Sequence, residues 1–138
     1  MSASTIYFHS PAGLVLEHSL DRYAELRYLP SKRQPGDLAT LLTQLGRLLL
    51  ARGWHRFLSD NRHMTPYTNE EKQWFVSHWL ANAVPRPTPL TGVVVLPEQV
   101  VARLSFLEMS MKASEGSLRY RTFQEFDEAL PYLKALAQ

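Results

Sequence analysis

The sequence predicts an α/β protein: one domain over residues 1–138, with a mixed sheet whose N-terminal strands are antiparallel, βα units after them, and about four helices. The chain opens on short extended runs separated by Pro, Gly and polar turns. After Asp37, stretches of helical period alternate with short apolar runs. Gly92-Val93-Val94-Val95-Leu96 is an unbroken, mostly β-branched run, the pattern of an interior strand covered on both faces.

Ile6 to His9 reads as a first strand, stopped by Ser10-Pro11-Ala12-Gly13, where proline sets φ and glycine permits a turn. Leu14 to His18 resumes extended, and from Tyr23 to Leu29 the residues Ala24, Leu26 and Tyr28 alternate with Tyr23, Glu25 and Arg27. That period of two marks a half-buried strand. Ser31-Lys32-Arg33 lies in a polar connector and reads as solvated loop. Leucines at 38, 41, 42, 45, 48 and 49 make one apolar stripe of a helix over Asp37–Arg52, ended by Gly53 as a left-handed cap. Gly46, within that helix, marks a close approach of backbone.

His55 to Ser59 predicts a short strand that breaks into a polar loop, Asp60-Asn61-Arg62-His63. Thr68 with Glu71 forms a capping box, so a helix begins there and runs from Asn69 to Val84, where three prolines in Pro85–Pro89 end it. Loops leaving the carboxyl ends of strands are where ligands bind in α/β sheets, so this loop is the predicted working end. Pro97-Glu98 opens a third helix reaching about Lys112 or Ala113, and Ser114 to Ser117 turns the chain. Leu118 to Arg121 predicts a more exposed strand, and Thr122 with Glu125 caps a last helix that Pro131 should kink.

With no cysteine, the chain has no disulfide, thiol catalysis or cysteine-ligated metal. Lys+Arg, 15, and Asp+Glu, 13, nearly balance, which argues against a nucleic-acid partner. The opening MSASTIYF shows no signal-peptide pattern, and no apolar run is long enough to span a membrane, so a soluble cytoplasmic protein is expected.

The strand ending in Asp60-Asn61-Arg62, the Met64-Thr65-Pro66 that follows, the Thr68-Asn69-Glu70-Glu71 cap and the two tryptophans of the next helix resemble the small bacterial STAS-like proteins. These are relatives of the anti-sigma-factor antagonist, with a fold shared in outline with the lipid-carrying CRAL-TRIO domains. The resemblance implies a regulatory or protein-interaction module without a catalytic site. In signalling members a phosphorylatable serine in the corresponding loop controls binding to a kinase partner. Here that loop lacks an Asp-Ser-Ser-Gly type segment, and its aliphatic hydroxyls are Thr65 and Thr68, the candidate phosphorylation sites. For Thr68 the capping box is a sufficient structural reason.

Asp60, Arg62 and His63 could supply an acid, an anion clamp and a base, but charged pairs at strand ends are more often scaffolding. The histidines lack helical metal-ligand spacing, so neither metal nor cofactor is expected. The stronger signal is surplus apolar surface. On the third helix Val100, Leu104, Leu107 and Met111 make one stripe and Ala102, Phe106, Met109 and Ala113 another, nearly opposite. On the second helix Phe75, Val76, Trp79, Leu80 and Ala83 face the core, and Trp74 points the other way. The expected working surface therefore combines the loop residues Asp60, Asn61, Arg62, Met64, Thr65 and Thr68 with an apolar interface or pocket at Trp74, Trp79, Phe106 and Met109. It would serve a protein partner or a second copy in a homodimer. The alternative is a carrier or sensor of a small apolar or lipid-like ligand, touching a membrane surface without spanning it.

Overall fold

The structure, a computed structural model, describes residues 4–113 and 117–136. Three strands open the chain, β1 (Ser4–Ser10), β2 (Gly13–His18) and β3 (Tyr23–Tyr28), paired antiparallel through tight turns. There follow α1 (Asp37–Arg52), β4 (Arg56–Asp60), α2 (Asn69–Trp74), β5 (Leu90–Val95), α3 (Val100–Ser110), β6 (Leu118–Phe123) and α4 (Phe126–Ala135). The six strands lie in the sheet in their order along the chain, β3 to β6 mutually parallel. Among the described residues the fold is thus α/β with a mixed sheet and four α-helices, as the periodicities predict.

Parallel strands joined by helices cross over with one hand, and a strand order that never reverses keeps successive crossover helices on one face. The burial follows. Leu41 and Leu45 of α1, Phe75 and Trp79 beyond α2, and Phe106 of α3 share one core with Leu26, Phe57 and Val94 of the sheet. Their neighbours in the strands, Leu58, Val93 and Val95, turn to the opposite face and pack under Ala129 and Leu133 of α4. β5 is therefore covered on both sides, although it lies second from one edge of the sheet rather than at its middle. Because the order does not reverse, there is no switch-point crevice of the doubly wound kind.

Several local expectations are corrected. The second helix does not stay α-helical to Val84: it widens at Phe75–Leu80 into a π-helical turn, with Ala81 N–H donating to the Val76 carbonyl at 3.2 Å. The Trp79 carbonyl accepts from the Asn82 N–H at 3.2 Å and also from Arg86 Nε at 3.2 Å. α3 begins at Val100, with the Gln99 side chain accepting from Ala102 N–H. Thr122 lies inside β6 and caps nothing, and α4 starts at Phe126 without a side-chain cap. Pro131 lies within α4, which runs on to Ala135. Residues 114–116 of the predicted turn lie outside the described residues. Arg33 is buried, not solvated.

Candidate functional site

The loop after β4 is mostly structural. Asp60, the last residue of β4, is buried, and so are Asn61 and Met64, contrary to the expectation of an open polar loop. The physical reason is charge neutralisation in place. Arg62 grips Asp60 with a fork, Nε to Oδ1 at 2.9 Å and Nη2 to Oδ2 at 2.8 Å, and its own backbone N–H adds a third donor at 3.3 Å. Burial would raise the Asp60 carboxyl, but these donors outweigh it and hold the group below the ordinary carboxylate range. The Arg62 guanidinium also lies 5.0 Å over the Phe126 ring, tying the loop to α4. Asn61 accepts from the Ser59 hydroxyl inside the core. His63 turns to Glu98, at 3.7 Å, so the acid, clamp and base do not converge on one point. Among the described residues no group of three His, Asp or Glu side chains is placed to hold a metal ion.

Thr65 and Thr68 belong to a second hub that the sequence reading missed. Arg33 reaches from the connector after β3 to Glu71, Nε to Oε2 at 2.6 Å, and its Nη2 donates to the Thr65 and Pro66 carbonyls at 3.0 and 3.1 Å. Its plane lies over the Tyr28 and Tyr67 rings, whose hydroxyls meet at 2.7 Å. Burial pushes the Tyr28 phenol up to about 12, so that contact stays neutral. The Thr68–Glu71 capping box is present as predicted, with Thr68 Oγ1 accepting from Glu71 N–H at 3.1 Å and Glu71 Oε1 from Thr68 N–H at 2.9 Å. Between this hub and the first turn of α1 lies a groove of about 710 Å³ whose walls include Lys32, Leu38, Ala39, Thr68 and Trp74. Trp74 is half-buried there and stacks on His78 at 5.3 Å, nearly parallel.

On α3 the two apolar stripes are resolved. Ala102, Phe106 and Met109 are the core stripe, and Trp79 is fully buried with its indole N–H donating to the Tyr120 hydroxyl at 2.9 Å. Trp79, Phe106 and Met109 therefore offer nothing to a partner, which corrects the expected interface; only Trp74 of that set reaches the surface. The free stripe is the other one: Val100 is 56% exposed, Leu104 60% and Met111 84%, with Val101 beside them at 58%.

One further cluster went unpredicted. Glu25 of β3 is buried, and it accepts from Arg27 Nε at 2.8 Å and pairs with His18 Nε2 at 2.9 Å. Burial acts to raise this carboxyl, and the two partners reverse the sign and lower it. Period-two alternation does place Glu25 and Arg27 on one face, but not that face's burial. Both Glu25 and Asp60 are held below their unfolded values, so both stabilise the fold fully above the ordinary carboxylate range and cease to as pH falls through their lowered values. The urea midpoint should therefore begin to drop as pH falls below about 5 and keep dropping through the lowered values of the two groups, and Asp60→Asn should flatten that drop. An equally steep acid limb in Asp60→Asn would remove Asp60 from the explanation.

No protein-family model matches the chain, and no curated protein or solved structure is significantly similar to it. No helix among the described residues is long and apolar enough to cross a membrane.

Proposed function

We propose that this chain is a cytoplasmic, non-enzymatic interaction module of STAS-like type, and that it works through the outward face of α3. The observation that carries the reading is the free stripe of Val100, Leu104 and Met111 on a helix whose opposite stripe already fills the core. Scattered surface apolar residues need no explanation, but a continuous stripe at helical spacing is the pattern of a surface that another surface covers. The buried Asp60, neutralised by a partly exposed Arg62, fits a scaffolding role better than an acid–base one. Thr68, exposed at the N-cap of α2, stays the candidate regulatory position, where a phosphate would meet the helix N-terminus and disrupt the Thr68–Glu71 box. The test is quantitative affinity enrichment from the source cell with wild type, Leu104→Glu and Asp60→Asn. We expect partner binding to fall at least about tenfold in Leu104→Glu and to persist in Asp60→Asn. Identical recovery with all three would sink the reading.

The groove beside Trp74 supports a second reading, a carrier of a small amphipathic ligand, because its volume lies in the range of ligand pockets and Leu38, Ala39 and Trp74 give it apolar walls. Native mass spectrometry of gently purified protein tests it. A retained adduct that disappears in Trp74→Ala would support the carrier, and a bare chain in both would remove it.

A further inference from the structure

We infer that the occupant of the α3 stripe is a second copy of this chain, packed with the two α3 helices parallel and in register; this rests on the interaction-module reading. The spacing on the outward face carries the argument, where Val100, Leu104 and Met111 are exposed and Leu107 is half-buried between them. Val100, Leu104, Leu107 and Met111 are separated by alternate steps of four and three residues, the a/d seam of a two-stranded coiled coil, with Val100 and Leu107 at d and Leu104 and Met111 at a. Met111 stays on the seam although it follows the helix's last residue, since its N–H still donates to the Leu107 carbonyl at 3.1 Å.

That seam has one charged residue on each flank. Arg103 immediately precedes Leu104, at g, and Glu108 immediately follows Leu107, at e. In a parallel pair a g side chain meets the e residue of the partner one turn further on, five residues along, which is the separation of Arg103 and Glu108. A twofold axis along the seam forms this ion pair twice. Antiparallel packing would instead bring each flank against its own copy, Arg103 towards Arg103 and Glu108 towards Glu108, which repels. Arg103 is half-buried and Glu108 exposed. Arg103 makes no ion pair among the described residues, and Glu108 uses only Oε1, on Lys72 at 3.0 Å, while its side chain is 51% exposed. A balanced Arg and Glu also fit a copy of the same surface better than an anionic membrane, which calls for a basic flank. The helix itself is held rigid for this purpose, because Ala102, Phe106 and Met109 fasten it to the sheet.

The seam is short, so the dimer should be weak, with a dissociation constant on the order of tens of micromolar. Sedimentation equilibrium of the full chain is the first measurement. Arg103→Glu and Glu108→Arg should each weaken self-association roughly tenfold, because each puts two like-charge contacts into its homodimer. An equimolar mixture of the two variants should recover dimer, since the heterodimer has two favourable pairs. Independently, the chain has no cysteine, so Val100→Cys supplies a single thiol. Mild oxidation should link it to its copy only if the two Val100 positions face each other across the axis. A wild type that stays monomeric at several hundred micromolar overturns the inference, as does a mixture that recovers nothing together with a Val100→Cys variant that stays unlinked. If the wild type is monomeric but Leu104→Glu loses a different protein, or loses phosphatidylglycerol-containing vesicles, the second copy is wrong and a binding role for α3 stands. If it loses neither, both fall.

Discussion

Arg33→Ala is expected to lower the unfolding free energy by about 3–5 kcal/mol, the cost of removing one partner from a buried ion pair. For a domain whose total stability is typically about 5–15 kcal/mol, that is a large share. The side chain is 2% exposed and joins five things at once: the Glu71 carboxylate, the Thr65 and Pro66 carbonyls, and the faces of Tyr28 and Tyr67. Removing it takes a donor from the Glu71 carboxylate and from both carbonyls, and leaves Glu71 only its bond from the Thr68 N–H. Glu71→Gln should cost less, because one amide oxygen can still accept from Arg33 or from the Thr68 N–H. Urea unfolding of the two single variants and the double variant measures the coupling directly. A loss below about 1 kcal/mol in Arg33→Ala would mean that the connector is held by something else. The groove beside Trp74 shares its wall with this hub, so in Arg33→Ala ligand binding there, if any, should weaken along with stability.

The parts of this hub that were legible in the sequence are the parts made by near neighbours. The Thr68–Glu71 box spans three residues and is seen as a pattern before any fold is known. Arg33 and Glu71 are 38 residues apart, and nothing in Ser31-Lys32-Arg33 distinguishes a buried arginine from a solvated one. The same limit applies at Asp60. Its chemistry was legible, but its burial depends on the Arg62 fork and on Phe126 of α4 closing over it. On α3 both stripes have the same period and similar hydrophobicity, so periodicity alone could not choose between them. The choice is made from outside the helix: Ser105 Oγ receives the Tyr67 N–H at 3.2 Å and Phe106 meets Tyr120 edge-on at 5.5 Å. The leucine stripe of α1 was legible throughout, because each of those leucines faces the same core. The π-helical turn was not, since its spacing differs from an α-helix by a single residue per turn.

Gly46→Ala is the sharpest test of packing between α1 and the segment that leads into β5, because two known effects oppose each other there. In an exposed helix interior the change would stabilise by about 1 kcal/mol, since glycine loses more backbone freedom on folding. At position 46 a Cβ would sit 2.3 Å from the Pro85 carbonyl oxygen, far inside contact distance. The obstacle is backbone, and it cannot easily withdraw. Arg86, the next residue, is anchored through Nε to the Trp79 carbonyl and through Nη2 to the Ser117 hydroxyl at 3.1 Å. Relief would have to come from moving α1, whose leucines at 42, 45 and 49 are seated in the core on either side of the glycine. Overpacking of this kind costs typically about 1–3 kcal/mol, and with rigid backbone on both sides the upper end is expected. The net prediction is a loss of about 2 kcal/mol, opposite in sign to propensity and visible as a lower thermal midpoint. A raised midpoint would show that the Pro85–Pro89 segment gives way freely, and the close approach would then be incidental rather than a constraint that keeps glycine in the middle of a helix.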